Sequence, residues 1–412
     1  MRLHVYAVFA LIAASVLVSY SIHSPDTGVP FGNFGFKYSD IVHGLFYTRF
    51  KAGSHWFEKG KFEALEGGRR LCPIPYVDYH FEYPPIIGLL WFASTCISFM
   101  ITMPEAYSPG DYGELLGKAA SIHYNLQALF LAAALLLLAA STYGILKFWG
   151  LNYSRLALLA LSPSLIIYLT YNWDVLAASL FTLGFYSYIR GRYRAAGALI
   201  GLSVSVKLLT ALAGLALLLR LAGEGDKRGV KEYLKYFTLA SIIPYALLAI
   251  LSPHGFRELL SHHSSWYCEN CLYLLLTRDI WSAHNRVIAA LSVGVAAGMI
   301  IVASIARAGD VRRLALASIM APIVLNYVFS PQMILMVTPI ALVTLTPGWL
   351  PAYVLADALN AAIIIVFFGD SNPWTLEGVT QKIALLRNII LLAILANLIL
   401  SLTLGLARNK GS

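Results

Sequence analysis

The sequence predicts an all-α, polytopic integral membrane protein of about twelve transmembrane helices, with juxtamembrane helices in a large first external loop. Three observations predict it. The chain is 58% hydrophobic and only 12% charged, with a mean hydropathy of +0.70. Apolar runs such as "ALFLAAALLLLAAS" and "NIILLAILANLILSLTLGLA" recur along its length, and uncharged runs of about 18 or more residues read as membrane-spanning helices. These runs also lack the charged outer faces that helices around a soluble core would carry.

Hydropathy and charge breaks place spans near 3–22, 123–148, 155–171, 173–190, 236–252, 284–306, 312–328, 332–346, 350–368 and 383–407. No A-x-A-like cleavage site follows the first of these in "SYSIHSPDTG", so it reads as an uncleaved span and not a signal peptide. Two stretches have more than one reading by hydropathy alone. Residues 85–103 could cross or lie at the interface, and residues 195–222 could cross once or twice with a break at Lys207.

Charge couples the two choices. If 85–103 crosses and 195–222 crosses once, Lys147, Arg155, Arg190, Arg192 and Arg194 face the side opposite the N-terminus. If 85–103 stays on one side and 195–222 crosses twice, those five join Arg2, the "GDKRGVKEYLK" loop, "RAGDVRR", Arg408 and Lys410 on a single side. The positive-inside rule selects the second arrangement, with both termini cytoplasmic. It also accounts for the net charge of +9 without a nucleic-acid partner. Residues 23–84 then form one large external loop, 85–103 becomes a juxtamembrane or re-entrant helix, and nearly all polar residues with chemical potential open on the external face.

Several of those residues carry both a structural and a functional reading. Asp40, in "FKYSDIVHGLFYTRF", precedes an amphipathic pattern at Ile41, Val42, Leu45, Phe46 and Phe50. That pattern suits a helix lying on the membrane, and Ser39 and Asp40 could serve only as its N-cap. In "PIPYVDYHFEYPP" the prolines can start the next helix and the rings suit the interface. Neither explains Asp78 and Glu82, because carboxylates at the edge of a membrane are costly and read as functional by default.

Asp174 and Asn172, in "YNWD", could cap a span or line a site. Lys207 interrupts an otherwise uncharged run. Its cost of roughly 2.5–3.5 kcal/mol at mid-membrane favours an anion-binding role over a topological marker. Gln332 opens a span and could satisfy helix-end groups. "SHHSSWYCENC" offers His262, His263, Cys268 and Cys271, for which zinc, a Cys268–Cys271 disulfide and free thiols are all open. No G-x-x-x-x-G-K-[ST] is present, which disfavours an ATP-driven pump. No repeat halves the chain, which weakens a secondary-transporter reading.

The order of "KYSDI", "PYVDYHFEYPP", "NWD", "GLSVSVK" and "SPQ" resembles the GT-C superfamily of polytopic glycosyltransferases, over most of residues 1–335. The second string is close to that of the polyprenyl-phosphate-mannose-dependent branch, and "KYSDI" with "GLSVSVK" is similar to the first GPI mannosyltransferase. The resemblance implies a catalytic module over 1–335 and further transmembrane helices over 336–412. It implies inverting transfer of a sugar, mannose by the branch, from a polyprenyl-phosphate donor to a lipid, glycan or protein acceptor. Asp40 then falls on the proposed base, and Asp174 on a second acid found in some members. The early acid is often a pair in that superfamily, whereas Ser39 and Ile41 flank Asp40 here, which puts a metal-bridging role in doubt. No metal ligands and no cofactor are assigned, though a divalent metal is allowed for.

In such a reaction Lys207, and secondarily Arg286 and His263, are expected to meet the donor phosphate. Glu82, Tyr83, Asp78, Asn172, Asp174 and Gln332 are expected to orient sugar or acceptor. Tyr79, Phe81 and Trp173 offer stacking surfaces. The rival expectation is a transporter or flippase of a lipid-linked sugar.

Overall fold

The computed structural model describes residues 2–69 and 71–409. Lys410, and the side chains of Arg2 and Arg408, lie outside the described residues. The described chain is helical throughout, with isolated bridges in place of strands. Six of its helices are long and apolar enough to cross a membrane, and shorter apolar helices accompany them.

The chain begins with α1 (Arg2–His23) and continues through α2 (Phe34–Lys37), a π-helical segment (Asp40–Phe46), α3 (Tyr47–Phe50) and α4 (Lys59–Glu66) to α5 (Pro85–Thr102) and α6 (Tyr112–Phe148). The Tyr124 hydroxyl donates to Tyr20 O, and the Tyr20 hydroxyl donates to Asn125. These bonds set the end of α1 beside the middle of α6. The first turns of α6 therefore project beyond α1. Along that projecting stretch lies α5, antiparallel, with Ser94 and Thr95 against His123 and Leu90 O against Gln127. α5 has the length and composition of a span and packs along the first half of α6.

The apolar residues after Asp40 correct one expectation. Ile41, Val42, Leu45, Phe46 and Phe50 are fully buried. Their rings pack on Trp91 and Phe99 of α5 and His123 of α6. The amphipathic face is covered by protein and not laid on lipid, because α5 and α6 supply an apolar wall of their own. A disulfide between Cys72 and Cys96, not anticipated in the sequence, staples the first loop to α5.

The expected span 155–171 is two short helices, α7 (Ser154–Ala160) and α8 (Pro163–Tyr168). Pro163 lacks the amide that would continue the ladder, and Ser162 instead caps α8. The chain then descends in α9 (Asp174–Ile189) and returns in α10 (Tyr193–Val206). At Lys207 it turns into extended backbone and a 3₁₀ turn, then descends again in α11 (Ala211–Gly223). Ser203 donates to Thr210, and the Tyr188 hydroxyl donates to Leu217 O, so residues 195–222 double back as a helical hairpin with Lys207 at its tip.

Next come α12 (Lys227–Leu251), α13 (Pro253–Ser265), α14 (Leu274–Thr277), α15 (Ala283–Ile305), α16 (Val311–Val324), α17 (Ile334–Thr344), α18 (Leu350–Phe367) and α19 (Val379–Asn409). Several of the cations hold contacts with one another's neighbours toward one end of the bundle. Arg194 and Arg228 share Glu232, Arg155 donates to Leu342 O and Leu345 O, and the Arg312 guanidinium lies 4.9 Å over Trp149. The molecule thus has a basic end and, at the opposite end, the first loop, the hairpin tip and α13.

Candidate active site

Asp40 sits at the start of the π-helical segment, and local geometry separates its two readings. Ser39, not Asp40, is the cap: its hydroxyl accepts from Val42 N at 3.3 Å. The Asp40 carboxylate is therefore free to point elsewhere. Its Oδ2 accepts from Asn172 Nδ2 at 2.6 Å and from the Tyr83 hydroxyl at 3.2 Å. Asn172 also donates to Tyr83 at 3.2 Å, which closes a triangle of polar groups from three separate segments. Burial among aromatic rings pushes the Asp40 carboxyl up to about 7, against the opposing pull of the Asn172 bond.

The support around this triangle is aromatic and hydrogen-bonded. The Tyr83 ring packs edge-on against Trp173 at 4.8 Å. The Trp173 indole donates to Gln127 Oε1 at 2.8 Å, and Gln127 donates in turn to Ser94. The Tyr76 hydroxyl donates to Tyr83 O at 2.6 Å. Of the expected stacking surfaces, Trp173, Tyr79 and Phe81 are all buried in this packing.

Lys207 is not the unpaired cation the sequence suggested. Its ammonium lies 3.3 Å from Asp174 Oδ1, and Asp174 is almost wholly buried. Hairpin tip and helix head thus hold each other. Lys207 also acts on Asp40 electrostatically, favouring its charged form.

Glu82 is paired with a residue that sequence reasoning passed over. Arg49 Nη2 lies 2.7 Å from Glu82 Oε2, and its guanidinium stacks 4.8 Å over Trp56. His80 joins the same group, 3.8 Å from Glu82 and 3.4 Å from Glu258 of α13. Asp78 belongs to a different arrangement. It accepts from Ile74 N at 2.7 Å and meets Lys61 at 3.1 Å, so it closes the turn that presents Tyr83.

Three expected residues stand apart from the Asp40 triangle. Arg286 donates to Ser265 O and Trp266 O at 3.1 and 3.3 Å, tying the end of α13 to α15. His263 bonds through Nδ1 with Leu259 O at 2.9 Å and lies within electrostatic reach of Lys207. Gln332 is buried in the 3₁₀ turn Pro331–Met333 that opens α17.

Cys268 and Cys271 form a disulfide. This removes the zinc reading of "SHHSSWYCENC", since zinc needs free thiolates. Of the two residues between them, Glu269 was not anticipated. Glu269 acts electrostatically on both Asp40 and Tyr38, and is itself influenced by Lys207. Burial raises its carboxyl above the usual range. An acid enclosed in a Cys-x-x-Cys is the signal the sequence carries for it.

No family model matches the chain, and no curated protein matches it. Among solved structures the chain is similar to ArnT from Cupriavidus metallidurans, in a crystal structure bound to undecaprenyl phosphate, with a TM-score of 0.44 and 15% identity over 97% of this chain and 77% of that chain. At that level the likeness carries no argument about this chain. What the site offers chemically rests on its own groups: a carboxylate that changes charge near neutrality, a lysine at the same face, and hydroxyl and amide donors that fix the carboxylate's position.

Proposed function

We propose that this protein is an inverting glycosyltransferase of the GT-C type, which moves a sugar from a polyprenyl-phosphate donor to an acceptor hydroxyl on the external face of the membrane. The observation that carries the reading is the Asp40 carboxylate. It is held by Asn172 and Tyr83 at 2.6 and 3.2 Å and raised to about 7, on the same face as Lys207. A general base works best when its pKa lies near the working pH. The motif order in the sequence supports the same reading, and mannose is the sugar that order favours. Two disulfides, Cys72–Cys96 and Cys268–Cys271, lie toward the site end, and disulfides persist in oxidising compartments. That supports an external site.

In the reaction Asp40 accepts the proton of the attacking hydroxyl as the acceptor oxygen displaces the lipid phosphate from the anomeric carbon. The departing phosphate gains negative charge, and the Lys207 ammonium, shared between Asp174 and that phosphate, stabilises it. Tyr83 and Asn172 keep the base oriented toward the acceptor. Glu82 with Arg49 and His80 forms the adjoining wall, where headgroup or acceptor would rest.

Purified protein in lipid bilayers, given radiolabelled polyprenyl-phosphate mannose and a panel of hydroxyl acceptors, tests the reading. Transfer of label by the wild type, lost in a folded Asp40→Asn variant, is the expected result. Movement of labelled donor across the bilayer without transfer to any acceptor would establish the flippase alternative instead. Full transfer by Asp40→Asn would remove the assigned base.

A further inference from the structure

Both bonds that fix the Asp40 carboxylate, from Asn172 and Tyr83, go to Oδ2. The other oxygen, Oδ1, faces Gly44. A Cβ on Gly44 would stand 3.3 Å from Asp40 Oδ1 and 2.9 Å from the Tyr38 hydroxyl, so it is glycine that leaves the space between these two oxygens uncovered. The backbone brings the three residues together. Ser39 O accepts from His43 N and from Gly44 N, at 2.9 and 3.1 Å, and the second bond is the longer-range one that makes Asp40–Phe46 π-helical. In that wider turn the Gly44 Cβ would lie 3.6 Å from Asp40 Cβ, nearer than the roughly 5–6 Å between neighbouring positions on an α-helix. Single π-helical turns are frequent at functional sites.

Tyr38 is held for the same spot. Its ring lies against Phe368, Tyr171 and His43, with centroids 5.2, 5.7 and 5.8 Å away. His43 in turn accepts from Ser39 N at 3.2 Å. The Tyr38 hydroxyl is bonded to Asp40, and burial pushes it well above the usual tyrosine value, so it keeps its proton at neutral pH. Tyr38, Asp40, His43 and Gly44 are each half-buried, so this space is reached from outside the packed core.

We propose that Asp40 Oδ1, Gly44 and Tyr38 form the subsite for the acceptor's hydroxyl, whose O–H donates to Oδ1 and whose oxygen accepts from the Tyr38 hydroxyl, in room left by the absent side chain of Gly44. The assignment rests on the glycosyl-transfer reading above. As the acceptor enters, Tyr38 exchanges its bond to Asp40 for one to the acceptor oxygen. A tyrosine hydroxyl can make that exchange by rotating its proton. In the transfer itself the acceptor oxygen bonds to the anomeric carbon while the bond from that carbon to the lipid phosphate breaks. The electron pair of the broken bond leaves with the phosphate, the acceptor's proton passes to Oδ1, and Tyr38 keeps its own.

The test uses the full-length chain in lipid bilayers with radiolabelled polyprenyl-phosphate mannose, and octyl mannoside, octyl glucoside and dioctanoylglycerol as acceptor probes. KM is measured for donor and acceptor separately. Gly44→Ala should cut kcat/KM for the acceptor about a hundredfold, the scale expected when a reacting group is displaced by about 1 Å, while the donor KM stays within about twofold. Tyr38→Phe keeps the ring and should raise the acceptor KM about three- to tenfold, for one lost hydrogen bond, again with the donor unaffected. The double variant, Tyr38→Phe with Gly44→Ala, separates room for the acceptor from room for the tyrosine. If glycine only seats the Tyr38 hydroxyl, removing that hydroxyl restores transfer. If the room is the acceptor's, the double variant stays as impaired as Gly44→Ala.

A double variant restored to wild-type transfer would overturn the subsite. So would a Gly44→Ala variant that raises both KM values alike, or an acceptor KM unchanged in Tyr38→Phe. Should Gly44→Ala fail to fold, Tyr38→Phe alone decides by the same acceptor KM. Absence of transfer by the wild type to every acceptor would overturn the glycosyl-transfer reading itself. An active wild type with indifferent variants overturns only the subsite.

Discussion

Ser39 and Asp40 divide a task that either could have performed. Because the Ser39 hydroxyl caps the helix, the Asp40 carboxylate keeps its lone pairs for chemistry, and two consequences can be measured. Asp40→Asn should lower transfer by roughly 10²–10⁴-fold, the usual contribution of a general base, with the fold intact by circular dichroism. The pH profile should follow from a carboxyl at about 7. The base works deprotonated, so kcat/KM should be full above about 7 and fall as pH drops through it. Tyr83→Phe removes a bond that favours the charged carboxylate, so its acid limb should move to higher pH. Lys207→Met should move the limb the same way while losing activity. It also strands the buried Asp174 charge, a loss that typically costs about 3–5 kcal/mol, so its melting temperature should fall. Much of this centre was legible in the chain as residue types: Lys207 by its cost at mid-membrane, and Asp40, Tyr83, Asn172 and Asp174 by their place in the motif order. Their partners were not. Arg49 reads as one more loop cation until it is seen 2.7 Å from Glu82, and no periodicity links Glu269 to Asp40.

Between elements, glycine decides how near two helices can come. Gly197 and Gly201 sit four residues apart on α10, the small-xxx-small spacing of closely packed membrane helices. A Cβ at Gly197 would lie 2.4 Å from Tyr233 O, and one at Gly201 2.6 Å from Phe237 O, so α10 and α12 meet backbone to backbone. Gly201→Leu should force the helices apart and shift the tip that carries Lys207. The expected result is a large loss of transfer with wild-type donor specificity among the surviving molecules, read by the same label assay. A second contact between elements is covalent. Cys72–Cys96 closes a sequence separation of 24 residues, for which loop-closure entropy corresponds to about 3 kcal/mol. Cys72→Ser with Cys96→Ser should therefore lower the thermal midpoint of the first loop's unfolding, followed by proteolysis of residues 51–71. The spacing of the four cysteines gave no hint of this pairing, because Cys96 lies inside an apolar helix where a span was an equal reading.

For the molecule as a whole, charge was the informative signal. Hydropathy alone left α5 open and could not divide 195–222. The distribution of lysine and arginine couples the two choices, because moving one boundary relocates every cation downstream. Finer breaks such as Pro163 within α7 and α8 depend on local backbone bonding that a hydropathy window averages away. Burial of the residues after Asp40 depends on α5 and α6 packing over them, a long-range fact with no local trace.

The hairpin that carries Lys207 has a last consequence, for the membrane around it. Its arms have 14 and 13 residues, which at 1.5 Å per residue reach only about 20 Å. A bilayer's hydrocarbon core is about 30 Å thick. Where lipid reaches the hairpin, headgroups dip toward the midplane or the bilayer thins locally to meet them. A lipid-linked phosphate arriving there is drawn down from the plane of its neighbours, and the depth of that dimple depends on the surrounding acyl chains. Reconstitution in phosphatidylcholines of increasing chain length should show a maximum in transfer rate at short to intermediate chains and a decline in thick bilayers. A rate indifferent to thickness would mean that the hairpin is screened from lipid by the helices around it.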